Sequence, residues 1–204
     1  MDPLPDWIEA AAEGARTVAL GMLRERGRGA VLVGVARVDA ALEALLKASL
    51  LPPSARENLF QTDRPLGSFG ARIALAHRLG VIDPEVEQAL HALRKVRNDF
   101  AHSTADISFS EPAQQSRLAE CYRQARTNPL WEPLQQLVQQ HLLPNNPGLI
   151  DKPTGQDHAL VNFIMLITIL VAFLDATAQQ LRPVRPSLRV TLSGMKPGET
   201  GRRP

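Results

Sequence analysis

Arg97, Asn98 and His102 combine residue types that can hold a phosphate and move a proton. Arg97 carries a planar fork of donors that matches a phosphate. His102 titrates near neutral pH and can give or take a proton. Asn98 can orient either group. Together they could cut RNA without a metal. His102 would take the 2′-hydroxyl proton or protonate the leaving oxygen, while Arg97 stabilises charge on the phosphorane. Residues five apart on a helix point about 140° apart. Arg97 and His102 would therefore border one groove at a helix end rather than stack. A plainer reading uses the same residues structurally: Arg97 pairs with a carboxylate, and His102 caps the helix C-terminus, where a cation is favoured. The spacing R-x-x-x-x-H leaves both readings open.

Two more arginines are candidates for holding an anion or phosphate, Arg72 and Arg94. Arg72 faces the region of Arg97 if their helices are antiparallel neighbours. Its alternative is an ion pair with Asp39, Glu43 or Asp99, which would be costly to break if buried. Gly67, Gly70 and Gly80 read as capping and close-crossing positions rather than a phosphate cradle. His77, His91, His141 and His158 show no metal-ligand spacing, so neither metal nor cofactor is expected. The single Cys121 excludes a disulfide framework and a cysteine zinc cluster, and no neighbour pattern activates it. Ser68 and Ser103 lack the G-x-S-x-G setting of a serine hydrolase.

The elements that must position these groups are helices. Proline is absent from 6–51, 66–83, 85–111, 113–128 and 154–182, and proline breaks helix interiors. Apolar residues at helical spacing predict helices over about 6–26 and 30–51, the second carrying Leu32, Val35, Val38, Leu42, Leu45, Leu46 and Leu50. The start of that second segment, AVLVGV, also reads as a short strand, but the stripe stays in helical phase through it. Ser68 as N-cap and Gly80 just past the end bracket a third helix. Asp83-Pro84 starts a fourth, which Val86, Leu90, Leu93, Val96 and Phe100 carry to His102. Residues 113–142 predict one or two helices broken near Pro129 and Pro133, before a polar loop over 143–155. Residues 158–174, HALVNFIMLITILVAFL, are apolar all round. The run is shorter than the roughly 20 residues of a membrane span and is bounded by Asp157 and Asp175. It predicts a buried central helix and no membrane.

The chain of 204 residues, 44% hydrophobic, can build one core, and only 4% is aromatic, which disfavours a β-sandwich or barrel. The expectation is a single all-α domain over 1–181, a bundle of about six or seven helices. A flexible basic tail rich in Pro, Gly and Arg follows over 182–204. Leu188, Val190 and Leu192 alternate, so the tail also has room for a short edge strand. The tail holds six Lys/Arg against Glu199, whereas the body holds 17 against 20 Asp/Glu. The pI near 9.0 therefore describes the tail. A mildly acidic body is a poor footprint for duplex DNA. The beginning, DPLPDW after Met1, has no basic and apolar leader pattern, so a cytoplasmic location is expected.

Residues 65–82, PLGSFGARIALAHRLGVI, and 93–102, LRKVRNDFAH, resemble the signature of the mannitol operon repressor (MltR) family. The helix over 38–52, VDAALEALLKASLLP, fits the same pattern, and the likeness covers about 30–105. It implies an all-helical homodimer that acts as a regulator through a protein partner, without direct sequence-specific DNA binding. The Arg97–His102 element also resembles the active-site motif of HEPN domains. That second likeness implies the alternative of a metal-independent endoribonuclease or toxin, with Arg97 and His102 acting and Asn98 in support. In that case RNA would be met at this element or through the basic tail, and two protomers would combine their sites across a two-fold axis.

Overall fold

The computed structural model describes residues 17–23, 25, 27–54, 57–103, 107–127, 131–132, 136, 155–185, 188–191 and 194–197. Among them are five long helices: α1 (Gly27–Ser49), α2 (Phe69–Arg78), α3 (Pro84–His102), α4 (Pro112–Ala125) and α5 (Gly155–Gln180). Residues 17–23 form a further helical stretch. The fold is an all-α bundle, as the proline spacing and apolar stripes predict. Of 128–154, only 131–132 and 136 are described, and these are helical. The expected breaks near Pro129 and Pro133 lie outside the described residues, as does the expected loop over 143–155 except for Gly155, which already belongs to α5.

Each helix boundary has a local cause. Asp83 accepts from the Val86 amide at 2.8 Å, with Pro84 in the first turn of α3. Ser68 accepts from the Ala71 amide and caps α2. Gly80 takes a φ of +69° just past α2, and its amide and that of Val81 return to the carbonyls of His77 and Ala76. Gly27, at φ +44°, marks the start of α1.

The AVLVGV run is helical, and its glycine has a packing reason. A Cβ at Gly34 would lie 2.7 Å from the end of Met22 and 3.2 Å from Ile167. The absent side chain lets α1 meet α5 and the 17–23 stretch closely.

α5 packs chiefly on α1, α3 on α4 and α1, and α2 over α3 and α1. Phe163 through Ala172 are all buried, so the most apolar run is the centre of the core. By length and composition 159–180 would also cross a membrane, but 67% of its most apolar window is covered by the rest of the chain. Phe100 on α3, Phe109 and Phe163 on α5 form a ring contact chain, with centroids 5.3 and 5.1 Å apart.

After α5 the chain returns to the end of α1, where the Val184 amide donates to the Ser49 carbonyl at 2.7 Å. Within the basic tail, β1 (Leu188–Thr191) pairs antiparallel with β2 (Gly194–Pro197), Val190 opposite Met195. The alternation of Leu188 and Val190 is thus realised as a small hairpin. Residues 186–187, 192–193 and 198–204 lie outside the described residues.

Candidate functional site on the third helix

The first motif, 65–82, builds a clasp around Arg72. Residues 59–67 close on themselves, with the Leu66 amide donating to the Leu59 carbonyl and the Gly67 amide to the Arg64 carbonyl, both at 2.9 Å. Gly67 is required here because a Cβ would sit 2.3 Å from the Gln61 carbonyl oxygen. Arg72 Nε donates to the Leu66 carbonyl at 2.8 Å, and Nη2 to the Phe60 carbonyl at 3.2 Å. Its ion pairs reach α1: Asp39 at 2.7 Å and Glu43 at 2.8 Å. The Phe60 ring lies 5.8 Å from the guanidinium and 5.1 Å from the Lys47 ammonium, and Lys47 shares Glu43 at 2.6 Å.

Arg72 is buried at 7% exposure with its donors engaged. It is a tie between loop and helix, which removes it from the anion-binding candidates. Of the three expected partners, Asp39 and Glu43 are used and Asp99 is not.

The second motif, 93–102, is anchored on its inner side. Leu93, Val96 and Phe100 lie in the core. Asp99 is tied to α4 by an ion pair with Arg117 and by Gln114 Nε2 at 2.8 Å. Arg94 lies across the start of α2: a Cβ on Gly70 would sit 3.5 Å from Arg94 Nη1 and 3.7 Å from Nε. That Nε is shielded from solvent and has no hydrogen-bond partner among the described residues.

The three candidate chemical residues lie on the outer side. Arg97 and His102 are exposed and Asn98 is half-buried. Arg97 Nη1 donates to Asn98 Oδ1 at 3.1 Å. Asn98 shares a helix face with His102, four residues on, and with Arg94, four residues back. One stripe therefore holds Arg94, Asn98 and His102, and Asn98 draws Arg97 toward it. Among the described residues Arg97 has no carboxylate partner, which sets aside the plain ion-pair reading. The helix end is also served differently from expectation. Arg28, at the start of α1, donates to the Ser103 carbonyl, so an arginine from another helix, rather than His102, binds there. Nothing in the spacing of the sequence pointed to Arg28, because the contact joins residues 75 apart.

The remaining titratable groups do other things. Glu87 lies between His77 at 3.7 Å and His91 at 3.9 Å. Among the described residues no group of three His, Cys, Asp or Glu is arranged to hold a metal ion. Cys121 is buried and its thiol donates to the Ala89 carbonyl at 3.3 Å. Burial, with the nearby Glu120 charge, pushes the Cys121 thiol up to about 12, so it stays protonated. Burial likewise raises the Tyr122 hydroxyl. His141 and the side chain of His158 lie outside the described residues.

No family model, curated protein or solved structure matches the chain.

Proposed function

We propose that the chain is a cytoplasmic regulatory protein of the mannitol operon repressor type, a homodimer that acts through a protein partner rather than by reading DNA. One observation carries this reading: the outer side of α3 presents Arg94, Lys95, Arg97 and His102 with no carboxylate partner among the described residues, while Arg72 is sealed inside. Unneutralised charge on a rigid helix is an interaction surface.

The duplex-DNA alternative has a specific obstacle. A short helix, a glycine turn and a longer helix do follow one another in α2, Gly80 and α3. A recognition helix meets bases through its N-terminal residues, and the first turn of α3 carries Glu85 and Glu87 after Asp83. That end repels phosphates. Gel-shift titration of the full chain at two salt concentrations tests the reading. The expected result is weak retardation, indifferent to sequence and lost at the higher salt. Tight sequence-specific retardation overturns it.

A second reading, metal-independent endoribonuclease, is favoured by one arrangement: exposed Arg97 and His102 on either side of Asn98. RNA cleavage in EDTA, comparing the native chain with His102→Ala, decides it. Cleavage lost in the variant supports the enzyme, and intact RNA with both proteins removes it.

A further inference from the structure

The proposed function leaves open where the partner binds and what its surface is made of. We infer that the outer side of α3 between His91 and His102 is a docking strip for a carboxylate-rich helix of the partner protein, an inference that rests on the partner-mediated reading above. The strip is straight: His91, Arg94 and Lys95, Asn98 and His102 recur every three or four residues along the side of α3 turned away from its buried residues. It runs for about 16 Å, three turns of helix, a length that suits a second helix laid alongside.

Its positive charge is left unneutralised on neighbouring turns of one helix, whereas the other described arginines without a carboxylate partner, such as Arg78, Arg126, Arg182 and Arg185, lie on other segments. Lys47, Arg64, Arg72, Arg117 and Arg123 each have a carboxylate partner. Arg94, Lys95 and Arg97 have none among the described residues. Asp99, the one acid between 88 and 102, is drawn to α4 by Arg117 and Gln114. The adjacent α2 contains no Asp or Glu. Arg94 in addition holds a shielded Nε without an acceptor. The complement of such a strip is a row of carboxylates at helical spacing.

A single-stranded nucleic acid would supply negative charge as well, but its recognition relies on bases stacking on aromatic rings. The strip holds no Phe, Tyr or Trp; its only rings are the small imidazoles of His91 and His102, and Phe100 of the same helix is buried. The backing is rigid, since core contacts, Asp99 and the Arg28–Ser103 bond hold α3 from its other sides. Little ordering would be required on binding.

The test uses the full chain and two labelled probes read by fluorescence anisotropy. One is an alanine-rich helical peptide with glutamate at every fourth position, and the other is a single-stranded RNA oligonucleotide of equal charge. The peptide is expected to bind about tenfold more tightly than a version with its glutamates scattered around the helix, and to weaken at higher salt. Lys95→Glu with Arg97→Glu should reduce peptide affinity by about tenfold or more, and Lys95→Gln with Arg97→Gln by less. All four changes fall on exposed positions, so circular dichroism should be unchanged.

Arg182→Gln with Arg185→Gln is the control. The tail leaves the body beside Ser49, at the far end of α1 from the Arg28 that binds Ser103, about 32 Å along the helix. Peptide affinity lost with the tail variant instead, equal binding of the striped and scattered peptides, or RNA preferred over peptide at the strip would each overturn the inference. Partner-mediated regulation in general would survive those results, since its own test is the DNA titration.

Discussion

The Arg97 guanidinium donates to the side-chain oxygen of Asn98, its immediate neighbour, at 3.1 Å. Asn98 is set on the helix face that also bears Arg94 and His102. This single bond draws an arginine, which helix geometry alone would turn away from the histidine, toward a common edge. The contrast with Arg72 is one of supply: Arg72 finds two carboxylates and two carbonyls, and Arg97 finds a neutral amide.

Exposure decides what mutation of the outer residues should do. Arg97→Ala and His102→Ala each remove an exposed side chain with no carboxylate partner among the described residues. Each should change unfolding free energy by no more than about 0.5 kcal/mol. Urea denaturation checks this, and a loss of several kcal/mol would mean that the side chain is part of the packing.

Arg72→Ala should behave oppositely. It strands Asp39 beside a half-buried ring, leaves Glu43 to Lys47 alone, and frees the carbonyls of Phe60 and Leu66. The expected loss is about 3–5 kcal/mol in the same denaturation experiment. Arg72→Lys should recover only part, since one ammonium cannot reach two carboxylates and two carbonyls in the geometry of a planar fork. Full recovery would show that charge alone is what matters at this position.

Gly67 and Gly70 lie three residues apart in one motif, but they should respond differently to alanine. At Gly67 the new carbon would sit 2.3 Å from one backbone oxygen and 2.5 Å from another, so the loop must move. A loss of about 1–3 kcal/mol is expected, as for overpacking. At Gly70 the nearest atom is Arg94 Nη1 at 3.5 Å, ordinary contact distance. Gly70→Ala should be tolerated, and thermal melting distinguishes it from Gly67→Ala. Equal losses would mean that the two glycines share one role.

Asp175 supplies a pH dependence with a definite sign. Burial raises its pKa, and the Arg37 charge opposes that shift in part. A carboxyl with a raised folded-state pKa binds its proton more tightly when folded. It therefore costs stability above the unfolded-state pKa and ceases to do so as pH falls. Asp175→Asn should be more stable than the native chain at pH 7, with the difference shrinking toward pH 4. A variant less stable at pH 7 would show that the Arg37 attraction outweighs burial.

Much of the architecture was legible from residue types along the chain. Helix stops and starts follow from Pro52-Pro53, Ser68, Gly80 and Asp83-Pro84, because these act within one turn of their own position. The buried status of α5 follows from its uniform apolarity. The hairpin in the tail is weaker in the sequence, since a few alternating residues mark a strand without marking its partner.

The candidate site was only half legible. Arg97, Asn98 and His102 stand out by type and spacing, and the structure leaves them outward on α3. Which arginine would be sealed and which left open could not be read from the chain. Arg72 and Arg94 look alike in sequence, but one meets Asp39 across 33 positions and the other meets a glycine.

Local chemistry was thus enough to set where the helices begin and end and which of their faces turn inward, because capping and apolar periodicity act over a few residues. Whether a given charge would be neutralised depended on contacts between distant segments, such as Arg28 with Ser103 and Arg117 with Asp99. Those pairings exist only once the helices have packed, and packing is a property of the whole core rather than of any one stretch.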